Sequence, residues 1–164
     1  MKEKIAAGKW EITGATWVEP DVNLPSGESL VRQFLFANRF VRQEFGLKMN
    51  VLWLPDLFGY SWSLPRIMRD SGIRYSMTTK ISWSQFNRFP YDTFYWRGID
   101  GTQVLTYFVT TPDDNNSFYT YNGQLRPAEI KGIWDAYQQK DINDELLHLF
   151  GWGDGGGGPT REIL

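Results

Sequence analysis

The stretch Val51-Leu52-Trp53-Leu54-Pro55-Asp56-Leu57-Phe58-Gly59-Tyr60-Ser61 decides the fold class. Its first four residues form a short unbroken apolar run, as expected of a strand buried on both faces in a parallel sheet, and Pro55 stops the run. Asp56 is therefore expected at the carboxyl end of a strand, the end at which parallel β/α architectures assemble active sites from their loops. On these residues alone two readings of Asp56 stay open: a functional carboxylate at the rim, or a side chain that caps the following turn or helix.

On the upstream side, residues 10–16 read as a strand, and a turn-rich connection over 19–25 leads to Ser26, a residue type suited to cap a helix. The helix is expected to run to about Phe45. Leu30, Phe34, Ala37, Val41 and Phe45 recur every three or four positions and define one buried stripe, with Arg32, Gln33, Arg39 and Arg42 as polar cover and Gly46 as the stop. Downstream, a helix is expected from about Tyr60 through Pro65 to Asp70, broken by Ser71-Gly72 before a strand over 74–79. Asp100-Gly101 is a hairpin signal between apolar runs over 93–99 and 104–109. Residues 110–125, rich in Asn, Asp, Thr and Tyr, read as a long loop. A last helix is expected from near Pro127 to Lys140 with Ile130, Ile133, Trp134 and Tyr137 on one face, followed by a strand over 146–150. Alternation of strands and amphipathic helices gives an α/β class with a mostly parallel sheet.

Composition narrows the chemistry. The 164 residues are 41% apolar, enough for a sizeable core, and the net charge of −2 comes with dispersed basic residues. Without an electrostatic stripe to follow a phosphate backbone, nucleic acid is not an expected partner. Cysteine is absent, so thiolate metal sites and disulfides are excluded within this sequence, and a metal would need oxygen or imidazole ligands. No apolar run approaches the roughly 20 residues that span a bilayer, so the expectation is a soluble chain with no membrane partner. Aromatic residues make up 16%, many in polar-flanked stretches such as Phe94-Tyr95-Trp96-Arg97, a mixture that packs in a core and also stacks on sugar rings.

Two further features carry competing readings. Gly151-Trp152-Gly153-Asp154-Gly155-Gly156-Gly157-Gly158-Pro159-Thr160 invites a phosphate-loop reading, but it lacks the Lys-Ser/Thr ending of a P-loop and the spacing of a dinucleotide fingerprint. His148, the single histidine, sits between leucines in an apolar run, where a packed or edge residue is favoured over a metal ligand.

Six blocks of the sequence together resemble the cytosolic-type α-mannosidases of glycoside hydrolase family 38. They are Trp17-Val18-Glu19-Pro20-Asp21, Ser26 to Gln33, Leu52 to Ser61, Thr78-Thr79-Lys80-Ile81-Ser82-Trp83, Phe86-Asn87-Arg88-Phe89-Pro90, and the tract Gly151 to Thr160. They occur in the family's order and reach from about Trp10 to the end. The resemblance implies part of a seven-stranded β/α barrel of the glycoside hydrolase/deacetylase type. It implies a retaining α-mannosidase that hydrolyses terminal α-mannosyl residues of glycans, with Asp56 as the nucleophile and also a ligand of zinc or another divalent metal. Lys80 matches a basic residue that supports the nucleophile, the alternative being a charge that simply reaches solvent. Phe58 matches an aromatic near the bound sugar, with core packing as its alternative. Asp154 is a candidate substrate contact, or else a turn residue. Glu19 and Asp21 are expected to support the rim.

In the family, two metal ligands in a His-x-Asp-type segment precede the first of these blocks, and another histidine and the acid/base carboxylate follow the last. The expectation is therefore that residues 1–164 are a piece of one catalytic barrel domain whose upstream and downstream parts lie outside this sequence, and that the piece alone is inactive. Tyr107 stands where close relatives carry a histidine. The implied setting is cytoplasmic, the implied partner a mannose-containing oligosaccharide, and the complete protein a homo-oligomer. Two alternatives stay open: a non-catalytic carbohydrate-binding relative, and a metal-dependent enzyme like the polysaccharide deacetylases, in which the aspartate would be a base or ligand.

Overall fold

A computed structural model of the chain describes residues 1–82, 84, 86–113, 119–154 and 156–162. Trp83 of one matched block, Gly155 of the glycine tract and positions 114–118 of the loop expected over 110–125 lie outside the described residues. The elements run α1 (Lys2–Ala6), α2 (Gly27–Phe45), β1 (Val51–Trp53), α3 (Leu64–Asp70), β2 (Tyr75–Thr78), a 3₁₀ turn (Lys80–Ser82), β3 (Thr93–Arg97), β4 (Gln103–Phe108) and α4 (Pro127–Ala136).

Four strands form an α/β sheet in the order β1-β2-β4-β3. β1 and β2 are parallel, with Leu52 opposite Ser76. β2 and β4 are parallel as well: Leu105 N–H donates to the Arg74 carbonyl and Val109 N–H to that of Thr78, a constant offset. β3 and β4 form the hairpin expected around Asp100-Gly101, with Gly98 N–H donating to the Thr102 carbonyl and Phe108 N–H to that of Asp92. The sheet is thus mostly parallel with one antiparallel edge. It is not closed, and the seven strands implied by the resemblance are not reached among the described residues.

The chain divides into two compact units, Met1–Met77 with Tyr95–Thr106, and Thr78–Phe94 with Tyr107–Leu164. The first is built around β1 and α2. Leu30, Phe34, Ala37 and Val41 are buried on one face of α2, as their spacing predicts, and pack in one core with Leu52, Leu54, Leu64, Met68, Ile73 and Val104. Ser26 caps the helix, its side chain accepting the Ser29 N–H, and Gly46 closes it in the left-handed region at φ 71°, where a Cβ would be penalised. Val31, Leu35, Phe36 and Phe40 give α2 a further apolar surface that is exposed.

The strand expected over 10–16 is reduced to a single parallel bridge of Gly14 with Leu52. Gly14 at φ 117° and Ala15 at φ 67° leave the extended region, so pairing with β1 cannot propagate.

The second unit has an aromatic centre in which Phe89, Phe94 and Phe108 lie 4.9 to 5.4 Å apart by ring centroids. Ile133 and Tyr137 of the last helical segment are buried, and the Tyr137 hydroxyl donates to Thr93 Oγ1 at 2.8 Å. Helix α4 stops at Ala136, short of the expected Lys140, because the Gln138 N–H donates to the Asp92 carboxylate at 2.8 Å instead of continuing the helical ladder. Ile130 and Trp134, expected on the buried face, are exposed, and the Lys140 ammonium lies over the Trp134 ring. The strand expected over 146–150 is present only as a parallel bridge between Gly123 and Phe150.

Leu52 is fully buried and Leu35 is not. Leu52→Ala is therefore expected to destabilise the chain by about 3–5 kcal/mol and Leu35→Ala by less than about 0.5 kcal/mol, a contrast that urea denaturation curves of the two variants check.

Candidate functional site

The segment that leaves β1 is pinned on both sides. Leu54, buried, donates its N–H to the Met77 carbonyl at 3.2 Å, extending the pairing with β2 by one residue. Its own carbonyl accepts the Tyr60 hydroxyl at 2.7 Å, so residues 55–59 form a loop closed at its base. Asp56 sits in this loop, half-buried, just beyond the carboxyl end of β1. It does not cap the next helix, which begins only at Leu64, after Ser63. Phe58 is 78% exposed, so its side chain is not part of the core.

A second segment lies against this loop. The Asp56 N–H donates to Glu19 Oε1 at 3.1 Å. Asp21 Oδ1 accepts the N–H groups of Leu24 and Asn23, each at 2.8 Å, and these two bonds hold its carboxyl below the usual carboxylate range. Asn23 is brought so close to Gly59 that a Cβ on that glycine would meet Asn23 Nδ2 at 2.8 Å. Of the two residues expected to support the rim, Glu19 bonds to the backbone of Asp56 and Asp21 builds its own turn; the Glu19 contact has no local pattern in the residues.

Lys80 and Asp154 belong to the second unit and Asp56 and Phe58 to the first. Lys80 opens the 3₁₀ turn directly after β2, and its ammonium lies 5.6 Å from the centre of the Tyr121 ring. Asp154 is exposed at φ 52°, a conformation that aspartate tolerates better than most residues, in a turn where the Gly156 N–H donates to the Gly153 carbonyl. A turn role for Asp154 is therefore visible in the geometry.

A buried ion pair in the same unit had no counterpart in the sequence reading. Asp92, 1% exposed, receives Arg88 Nη2 at 2.9 Å from each carboxylate oxygen, together with the Gln138 N–H. Gln139 Oε1 in turn accepts the N–H groups of Asp92 and Thr93, and the Arg88 guanidinium lies 5.0 Å from the centre of the Tyr119 ring. The signal available was Arg88 four residues before an aspartate, inside the matched block over 86–90; partners 46 and 47 residues away carry no local pattern.

His148 is half-buried. Its Nε2 lies 3.1 Å from the Gln124 carbonyl and its ring stacks near Phe150, in keeping with the packed reading. Among the described residues there is no group of three or more His, Cys, Asp or Glu side chains that could hold a metal ion. No helix among them is long and apolar enough to cross a membrane.

Tyr107, in the position where a histidine was expected, has its phenol pushed up to about 12 by burial, which outweighs the lowering by the Leu147 backbone and the Thr110 side chain. Because the folded value is raised, the stability linked to this group is intact below the unfolded value near 10 and falls as pH rises from about 10 toward 12. An ultraviolet difference titration of the native chain against Tyr107→Phe is expected to show one tyrosine ionising near pH 12.

Comparison with known proteins supplies the family context. The whole chain, residues 1–164, matches the domain described as the glycosyl hydrolases family 38 N-terminal domain. It is 49% identical to alpha-mannosidase G of Dictyostelium discoideum, over 100% of this chain and 14% of that protein. It is 45% identical to the alpha-mannosidase of Saccharomyces cerevisiae, over 98% of the chain and 14% of that protein. Against human alpha-mannosidase 2C1 it is 44% identical, over 100% of the chain and 15% of that protein. The chain therefore spans about one seventh of the length of these relatives. In fold it is similar to the crystal structure of an alpha-mannosidase from Enterococcus faecalis V583, with a TM-score of 0.69 at 22% identity, over 91% of this chain and 17% of that one.

Proposed function

The chain belongs to glycosyl hydrolase family 38, and from that premise we propose that it carries the nucleophile of a retaining α-mannosidase, Asp56. The observation that carries this reading is the position of one carboxylate in a tethered loop just past the end of a buried parallel strand, inside the block that most resembles the family's nucleophile segment. We read the four strands as part of a seven-stranded β/α barrel and the 164 residues as part of its single catalytic domain.

Asp56 attacks the anomeric carbon of a terminal α-mannosyl residue. A carbon–oxygen bond forms to the carboxylate while the bond to the leaving oxygen breaks. A second carboxyl group, outside the described residues, protonates that oxygen and then deprotonates the water that cleaves the glycosyl-enzyme, at the separation of about 5 to 5.5 Å that retention requires. Two displacements at one carbon restore the original configuration. Phe58 suits this reaction as an exposed ring beside the nucleophile, of the kind that packs on the apolar face of a sugar. Lys80 keeps the role implied by the resemblance, a basic residue that supports the nucleophile. Asp154 is a substrate contact from the glycine-rich turn.

Zinc or another divalent metal, when bound, supplies a grip on sugar hydroxyls that helps distort the ring toward its oxocarbenium-like transition state. Asp56 is its candidate ligand in this chain. The described residues do not make a complete donor set for it.

The test is the rate of mannose release by the complete enzyme carrying this chain. Asp56→Asn is nearly isosteric but cannot form the ester, and is expected to lower kcat on the order of 10⁴-fold while leaving the folded enzyme intact by circular dichroism. Release at the native rate would contradict the assignment.

A further inference from the structure

We propose that Glu19 is a positioning residue for the nucleophile: its carboxylate accepts the Asp56 backbone N–H and so sets the direction in which the Asp56 side chain leaves the strand. This role deepens the reading of Asp56 given above and rests on it.

Around Glu19 the chain is stiffened by its own residues. Pro20 and Pro25 bracket a short stretch in which Asp21 folds the chain back, its side chain accepting two successive backbone N–H groups. Val22, within that turn, is 2% exposed and belongs to the same core as Leu30, Phe34 and Leu52. A turn built by Asp21 and anchored by Val22 has little freedom left, so the residues on either side of Val22 are held in place without help from the loop they face.

Those two sides meet the loop at two points. Glu19 takes the Asp56 N–H at 3.1 Å. Asn23 closes on Gly59, where a Cβ would lie 2.8 Å from the Asn23 amide nitrogen, so any other residue would make the Asn23 side chain swing aside. At the other end of the same upstream segment, the Gly14 carbonyl accepts the Trp53 N–H at 3.2 Å, which ties the segment to β1 itself. The nucleophile loop is therefore registered from outside at Trp53, Asp56 and Gly59. Of these three contacts only the one at Asp56 is made by a carboxylate, and it is made to the backbone of the reacting residue.

A structural role alone accounts poorly for this choice. Glu19 is exposed, and its bond competes with water, so it adds little to folding. Its leverage is geometric. Displacement of a nucleophile by an ångström or so is costly to rate, because attack needs the reacting atoms aligned near van der Waals contact. A carboxylate is also a strong acceptor for a backbone N–H, and it can hold that amide while the neighbouring Asp56 carboxylate changes from anion to ester.

The experiment uses the complete enzyme with three substitutions. Glu19→Ala is expected to lower kcat by about 10- to 100-fold with little change in KM. Glu19→Gln, whose amide oxygen still accepts a hydrogen bond, is expected to restore most of that loss. Hydrogen exchange followed by peptide mass analysis is expected to show the Asp56 amide exchanging faster in Glu19→Ala than in the native enzyme, and near the native rate in Glu19→Gln. Native kcat in Glu19→Ala, unchanged exchange at Asp56, or a Glu19→Gln variant as impaired as Glu19→Ala would each overturn the proposal. Asp56→Asn separates the two levels: if it is inactive while Glu19→Ala is fully active, only the role of Glu19 fails. If Asp56→Asn is active, the nucleophile assignment fails whatever Glu19 does.

Discussion

Parallel pairing of β1 with β2, with Leu52 and Leu54 buried, fixes where and in which direction the chain emerges at Pro55-Asp56. A strand of three residues has few hydrogen bonds of its own, so its placement depends on that burial and on the tethers that flank it. Gly14 bonds to Trp53, Met77 to Leu54, and Tyr60 back to Leu54. The core under β1 and the segment that carries Asp56 are thus joined through one short element.

The second unit applies the same logic with a charge in place of an apolar run. Asp92 is buried, and a buried carboxylate is tolerable only when paired and hydrogen-bonded; Arg88, Gln138 and the Gln139 side chain around its backbone provide that. The consequence is structural, since the same carboxylate takes the amide that would have continued α4. Lys80 and Arg88 both rest on tyrosine rings of this unit, Tyr121 and Tyr119. Each cationic group thus lies within 6 Å of an aromatic face, Lys80 at 5.6 Å and Arg88 at 5.0 Å.

Elements with a strong local period were legible in the sequence. The stripe of α2, its Ser26 cap and its Gly46 stop, the apolar run of β1, and the β3–β4 hairpin are all where the residues put them. Residues 10–16 and 146–150 looked extended but pair through one bridge each, because strand formation needs a partner in register and local composition does not supply one. The end of α4 falls short of Lys140 for a related reason: a carboxylate 46 positions away takes the amide that would have continued the helix. At the candidate site Asp56 was legible as a carboxylate beyond a buried strand. The bond from its backbone to Glu19 spans 37 residues and leaves no spacing to detect.

On the reading proposed above, an Asp56 oxygen bonds to the sugar in a covalent glycosyl-enzyme. Its most direct test is to treat the complete enzyme with a fluorinated mannosyl donor that forms the intermediate quickly and releases it slowly, then to map the modified peptide. The predicted result is one mannosyl ester, on Asp56, in the peptide that includes Leu54 to Ser61. A label on any other residue, or inactivation without a covalent label, would contradict the claim.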